Sequence, residues 1–226
     1  MVLLISAVLW VHCLVPSRHQ ADAPQPDPFS REVAAFKVVD RKNPPVKGQI
    51  LFIGSSSFTK WTDVADYFPS YHILNRAFGG SRLPDVIAHV EDVVFPYQPK
   101  QIVIYCGEND FASDATLEPE AVFNRFRSLY RIIRNRIPNV PIAYVSMKPS
   151  PSRWNMRAKF MATNRKIADF LKHQKSASFI DVWDAMLDDR GQPKADIFIA
   201  DKLHMNASGY HIWQPIIEPF LLKDNQ

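Results

Sequence analysis

The sequence predicts an α/β fold, a three-layer α/β/α sandwich around a five-stranded parallel sheet. Three observations lead there: five short and nearly continuous apolar runs, helix-length segments between them, and glycine concentrated just beyond the run ends. A strand buried on both faces of a parallel sheet reads as an unbroken apolar run rather than an alternating one. Strands that alternate with helices pack as a sheet covered on both faces.

The elements follow in chain order. Residues 24–47 carry Pro24, Pro26, Pro28, Pro44 and Pro45 and read as an extended lead-in, with a short helix around Phe29 to Val39. Gln49 to Ile53 is the first strand, and Tyr71 to Asn75 and Gln101 to Cys106 are the second and third. Pro141 to Ser146 and Ala177 to Val182 complete the sheet. Between strands, Val122, Phe126, Leu129, Ile133 and Ile137 step by three and four, which builds one apolar helix stripe. Pro138 ends it, because proline cannot continue the helix ladder. Asp85 to Val94, Met156 to His173 and Ala207 to Leu222 are further helices, the last bent or broken near Pro215.

Whole-chain properties narrow the function. The 226 residues fit one domain with a substantial core, and 46% hydrophobic against 22% charged residues excludes a disordered chain. A formal charge of +4 is mildly basic. Arg125, Arg127, Arg131, Arg134 and Arg136 cluster at spacings that suit a solvated helix face, without interleaved stacking aromatics, so no nucleic-acid partner is expected. His72, His89, His173, His204 and His211 form no zinc-type ligand cluster, and the sequence calls for no metal and no cofactor. Only 7 glycines occur where average usage gives roughly 16, and Gly54, Gly79, Gly80 and Gly107 all sit beyond predicted strands.

The N-terminus is separate material. Val2 to Val15 is apolar but too short to span a bilayer comfortably, and Ala21-Asp22-Ala23 is a small-x-small cleavage site, although no basic residue precedes the apolar stretch. Residues 1–23 are therefore read as a signal peptide or N-terminal anchor, 24–47 as the lead-in and 48–226 as the functional domain. The expected location is periplasmic or secreted, or anchored by the apolar segment, with membrane contact only through an uncleaved N-terminus. Cleavage removes Cys13 and leaves Cys106 alone, so no internal disulfide forms. Cys106 reads as a buried strand-end thiol rather than a nucleophile.

Four segments carry chemistry: Gly54-Ser55-Ser56-Ser57, Asn75 through Ser81, Gly107-Glu108-Asn109-Asp110, and Asp201-Lys202-Leu203-His204. The first three follow strands one, two and three, and ligands of such sheets bind beyond the carboxyl ends of the strands. A serine hydroxyl needs a neighbouring base to become a nucleophile. His204 supplies a base, and Asp201, three residues earlier, can orient its imidazole from the same turn. Two other serine chemistries fail on the residues. An α/β-hydrolase elbow needs Gly-x-Ser-x-Gly, and Phe58 stands where the second glycine belongs. Ser57 to Lys60 satisfies Ser-x-x-Lys, but the chain has no Lys-Thr-Gly partner.

Over residues 47–222 the segments resemble the blocks of the SGNH hydrolases, the GDSL-like esterase and lipase superfamily. Gly54-Ser55-Ser56 is similar to the Gly-Asp-Ser of the first block, Gly80 to the second-block glycine, Asn109 to the third-block asparagine, and Asp201 and His204 to the Asp-x-x-His block. Ser55 is the departure, standing where the commoner pattern has aspartate. The resemblance implies a flavodoxin-like SGNH hydrolase fold, a Ser56, His204 and Asp201 triad, and an oxyanion hole from the Ser56 and Gly80 backbone N–H groups and the Asn109 amide. It implies a carboxylic ester hydrolase that removes a short acyl group, acetyl among the candidates, from a carbohydrate, lipid or small-molecule ester. A lysophospholipase or thioesterase-like acyl hydrolase is the alternative within enzymes. A binding module that keeps the fold without turnover is the alternative outside them. Trp61, Arg153 and Trp154, near strand ends at the same edge, are the expected substrate contacts, with core packing as the competing role for each tryptophan.

Overall fold

A computed structural model describes residues 27–223. The N-terminal apolar stretch and the Ala23 cleavage site lie outside the described residues. The five strands are β1 (Ile50–Gly54), β2 (Ile73–Asn75), β3 (Gln101–Tyr105), β4 (Ile142–Val145) and β5 (Ala177–Ile180), all parallel in the order β2-β1-β3-β4-β5. The order reverses between β1 and β3. That switch point is where a doubly wound sheet opens a crevice outside its strand ends.

Alternation of side chains along each strand sorts the core into two layers. Leu51, Ile53, Ile102, Ile104, Ile142 and Tyr144 face one side, whereas Ile50, Phe52, Val103, Tyr105, Ala143 and Val145 face the other. The first side is covered by α1 (Ser30–Lys42), and the opposite side by two single turns, α2 (Ser56–Thr59) and α3 (Val64–Tyr67). The first side also receives α4 (Leu83–Ala88), α5 (Val90–Val93), α6 (Glu108–Ser113), α7 (Pro119–Arg136) and α8 (Arg157–Lys172). Returning to the second side, α9 (Ala207–Ile217) closes the sandwich with Tyr210, Trp213 and Ile217. The sheet, its parallel pairing and the three layers are those the sequence predicts.

The short helix expected around Phe29 to Val39 is α1, which runs 13 residues to Lys42, buries Val33 and packs on the domain. Its Asp40 carboxylate pairs with Arg76 and accepts from the Tyr97 hydroxyl at 2.7 Å, contacts that no local sequence pattern announces. The last helix breaks near Pro215 as expected: α9 ends at Ile217 and gives way to a 3-10 turn over Glu218–Phe220. Two local outcomes differ from expectation. The expected helix over Asp85 to Val94 divides at His89 into α4 and α5. Trp61, expected at the substrate, is fully buried in the second core layer and stacks on Tyr210 with ring centroids 4.6 Å apart. Phe58 and Trp61 stand three residues apart, so both turn inward from the nucleophile turn onto the sheet.

One backbone contact constrains this end of the sheet. Gly54 pairs in register with Tyr105 and has φ +124°, and a Cβ there would lie 2.0 Å from the Tyr105 carbonyl oxygen. Only glycine fits, because it lacks both the steric bulk and the penalty at positive φ. Gly54→Ala is therefore expected to lower unfolding free energy by at least about 2 kcal/mol, through overpacking and backbone strain together. Denaturant unfolding followed by circular dichroism checks this, and an unchanged midpoint would contradict it.

Candidate active site

Four loops meet beyond the carboxyl ends of β1, β2 and β3. Gly54 turns the chain out of the sheet, and the Ser55 N–H donates to the Tyr105 carbonyl at 2.9 Å. Ser55 then precedes α2, whose first residue is Ser56. The Ser56 hydroxyl oxygen stands 2.8 Å from Nε2 of His204. On the far side of the ring, His204 Nδ1 stands 2.6 Å from Asp201 Oδ2. A carboxylate only accepts, so Nδ1 carries the proton and the Nε2 lone pair faces Ser56.

Asp201 also organises the loop that bears the histidine. Its Oδ1 accepts from the Leu203 and His204 amides, both at 2.9 Å. Lys202, between Asp201 and Leu203, adopts a left-handed φ of 56°, which closes the turn. Partial desolvation pushes the Asp201 carboxyl up, but the bonds from the His204 ring and from the two amides outweigh it and bring it down to about 2. The carboxylate is therefore ionised throughout the neutral range.

On the other side of Ser56, the Asn109 side chain enters from the start of α6. Its Nδ2 donates to Ser55 Oγ at 2.7 Å and to the Ser81 carbonyl at 3.0 Å. Ser55 thus stands where the expected aspartate would be and acts as an acceptor for the asparagine amide. Gly107, at φ +132°, turns the chain from β3 into α6, and a Cβ there would press on Met147 Sδ at 3.1 Å. Gly80, also at positive φ, lies in the loop after β2. Among the described residues, the backbone N–H groups of Ser56 and Gly80 donate to no protein acceptor. Glu32 of α1 accepts from the neighbouring Gly79 N–H at 3.0 Å and so ties the lead-in helix to this loop.

The space around Ser56 is uneven. A recess of about 10 Å³ lies between Ser56, Gly107, Asn109, Lys148, Arg153 and Leu203. A cavity of that size holds about one water-sized sphere. Across Asn109 and Gly80 an open groove of about 370 Å³ is lined by Phe29, Arg82 and Ala112. Of the expected substrate contacts, Arg153 lines the recess, but Trp154 does not. Trp154 stacks on Trp183 with centroids 6.2 Å apart and carries the Arg157 guanidinium over its ring. It packs on the segment that follows β5 and lines neither the recess nor the groove.

Lys148 escaped sequence reasoning, as did the burial and the partners of Glu108 and Asp110. Lys148 and Glu108 are buried side by side at 3.1 Å, with the Tyr105 hydroxyl also on Glu108. Burial pulls the Lys148 ammonium below its usual range, against the upward pull of Glu108. Asp110 is fully buried and accepts from the Leu83 N–H at 3.0 Å and from Arg125 at 2.6 Å, which locks the loop after β2 to α6. Its carboxyl is pushed up by burial against those two bonds. The available signal was a lysine and an arginine directly beyond a wholly apolar β4, on the functional edge of the sheet. Cys106 is buried, as expected of a strand-end thiol, and burial raises its pKa well above that of a free thiol. No group of three or more metal-ligating side chains assembles among the described residues.

Comparison with known proteins agrees with this geometry. Residues 53–212 match the GDSL-like lipase/acylhydrolase family. No relative among curated proteins matches the chain by sequence. Among solved structures, a GDSL-like lipase from Bacteroides thetaiotaomicron is similar at 19% identity and TM-score 0.67, over 84% of this chain and 94% of that one. An acetylxylan esterase from Geobacillus stearothermophilus, solved as a catalytic mutant, is similar at 15% identity and TM-score 0.62, over 80% of this chain and 97% of its own. A carbohydrate esterase family 3 protein from Talaromyces cellulolyticus is similar at 15% identity and TM-score 0.60, covering 77% and 95% respectively. At these identities the likeness concerns the fold.

Proposed function

We propose, from the premise that this chain belongs to the GDSL-like lipase/acylhydrolase family, that it is an exported carboxylic ester hydrolase that removes short acyl groups through Ser56. The observation that carries the reading is the relay from Ser56 Oγ to His204 Nε2 at 2.8 Å and from His204 Nδ1 to Asp201 at 2.6 Å. His204 takes the Ser56 proton as the hydroxyl attacks the ester carbonyl. Asp201 holds the tautomer and stabilises the imidazolium. The tetrahedral oxyanion takes hydrogen bonds from the Ser56 and Gly80 N–H groups and from the Asn109 N–H that the Ser55 hydroxyl holds in the free protein, which must be handed over to it. His204 then returns the proton to the leaving alcohol, and a water activated by the same imidazole releases the acid and regenerates Ser56.

The recess of about 10 Å³ supports a short acyl group, because it has room for little more than a methyl and its walls are charged. The groove beyond Asn109, at about 370 Å³, suits a larger alcohol. Acetyl esters of carbohydrates fit both spaces, and acetylxylan esterase activity in a structural neighbour is consistent with them. A lysophospholipase would place a long chain beside Ser56, which these dimensions disfavour. A non-catalytic module rested on the missing aspartate alone, and Ser55 keeps a hydrogen bond to Asn109 at that position.

Three measurements test this. Ser56→Ala is expected to abolish hydrolysis of an acetyl ester, while Ser55→Ala and Ser57→Ala keep most of it; an inactive Ser57→Ala beside an active Ser56→Ala would favour the Ser-x-x-Lys frame. On a series of esters graded by acyl length, kcat/KM should fall at least about tenfold from acetyl to butyryl, since one extra methylene in a tight pocket is worth about 10-fold or more. Equal rates through octanoyl would contradict the recess as the acyl site.

The pH profile is the third. A protonated imidazole cannot accept the serine proton, so kcat/KM should fall on acidification. Asp201, already ionised above about pH 2, cannot produce that limb. Asp201→Asn should reduce the plateau less than His204→Ala, because it misplaces the base rather than removing it. A profile that stays flat on acidification until the protein unfolds would exclude a histidine base.

A further inference from the structure

Beside Asn109, on the wall of the recess, lies a largely buried ionic cluster whose hydrogen bonds to Asn109 the proposed chemistry has so far not used. Arg153 spreads its guanidinium over two acceptors, Glu108 Oε2 at 3.1 Å from Nη1 and Asn109 Oδ1 at 2.6 Å from Nη2. The remaining carboxylate oxygen of Glu108 takes Lys148 Nζ at 3.1 Å and the Tyr105 hydroxyl. Side-chain exposures of 1% for Lys148, 6% for Glu108 and 15% for Arg153 leave the cluster nearly without solvent. Two cations face one carboxylate there, so one positive charge is in excess directly beside the Asn109 amide.

The hydrogen bonds fix which way that amide points. A guanidinium only donates, so the atom facing Arg153 is Oδ1; the Ser81 carbonyl only accepts, so the atom facing it is Nδ2. The second Nδ2 hydrogen goes to the Ser55 hydroxyl, and it is this one that an oxyanion at Ser56 would take over. Loss of the Arg153 bond would leave Oδ1 without its charged donor and free the amide to rotate. A flipped amide would present an oxygen to the Ser81 carbonyl and to any anion forming on a substrate at Ser56. A charged donor on Oδ1 also polarises the amide and strengthens its N–H as a donor. The segment bearing Arg153 is itself held to the histidine loop, where the Ser152 N–H donates to the Lys202 carbonyl at 3.1 Å.

We propose that Arg153, anchored by Glu108 and Lys148, is a positioning residue that orients and polarises Asn109 as an oxyanion donor. The inference rests on the serine hydrolase reading and deepens it. It replaces the expectation that Arg153 is a direct substrate contact, because both arms of its guanidinium are already engaged. Arginine suits the role and lysine does not, since only a planar fork can reach two acceptors at once.

The test is a double-mutant cycle on the full chain, with kcat, KM and thermal midpoint measured on an acetyl ester. Arg153→Gln should lower kcat about 10- to 100-fold, less than the roughly 10²–10³ expected for Asn109→Ala. KM should stay within about threefold, because the amide acts mainly on the transition state. Arg153→Lys should fall between Gln and the native residue. In the Asn109→Ala background, Arg153→Gln should cost no more than about twofold, the mark of two residues acting as one unit. An unchanged kcat, a raised KM at unchanged kcat, or an equal loss with and without Asn109 would each overturn the proposal. So would loss of activity tracking loss of thermal midpoint in both Arg153 variants. Ser56→Ala is run in parallel: if it is inactive while Arg153→Gln is unaffected, only the role of Arg153 falls, and if it stays active the hydrolase reading falls as well.

Discussion

The pairing of β1 with β3 is the constraint on which the rest of the site depends. These strands flank the point where sheet order reverses, and their ends lie so close that Gly54 admits no Cβ against the Tyr105 carbonyl. From that contact the chain leaves β1 at Ser55 and β3 at Cys106, and the two loops must share one small volume. Ser56 and Asn109 arrive from different strands at the same place for this reason. The loop after β2 joins them through the Asn109 bond to the Ser81 carbonyl and the Asp110 bond to the Leu83 N–H. A parallel sheet thus converts three separate chain segments into a single rigid edge.

Around that edge the protein buries more ionisable chemistry than its core needs. Glu108, Lys148 and Asp110 are buried at this edge, and Glu108, Lys148 and the half-buried Arg153 line the recess beside Ser56. Desolvating such groups is costly unless each finds a charged or hydrogen-bonding partner, and here each one does. What the arrangement supplies is rigidity of orientation: preorganised donors act on a transition state without reorganising during the reaction. The base side of the site is simpler. Asp201 and His204 come from one turn, close to solvent, and hold each other by short-range hydrogen bonds.

Much of this was legible in the sequence, for identifiable reasons. A strand buried on both faces has to be apolar throughout, so Gln101 to Cys106 and Pro141 to Ser146 matched β3 and β4 within a residue. The stripe from Val122 to Ile133 is buried as its spacing requires. The glycine-rich turns, the serine, the asparagine and the Asp-x-x-His segment stand at one edge because topology brings strand ends together. What stayed hidden depends on partners distant in sequence. Trp61 could equally have faced the cleft or the core until Tyr210, nearly 150 positions later, was seen to cover it. Glu108 stands in the third of the four segments, but its partners Lys148 and Arg153 come from the segment after β4. The α1 helix, proline-flanked and polar, is held by Asp40 with Arg76 and by Glu32 with Gly79, pairings with no local signature.

The central claim is that Ser56 is a nucleophile activated by His204. Covalent labelling with a small fluorophosphonate, followed by peptide mapping, tests it most directly because the reagent needs an activated serine and no knowledge of the substrate. The account predicts one stoichiometric adduct on Ser56, formed far more slowly in His204→Ala. No adduct on the folded protein, or an adduct on Ser55 or Ser57 that forms equally fast without His204, would contradict it.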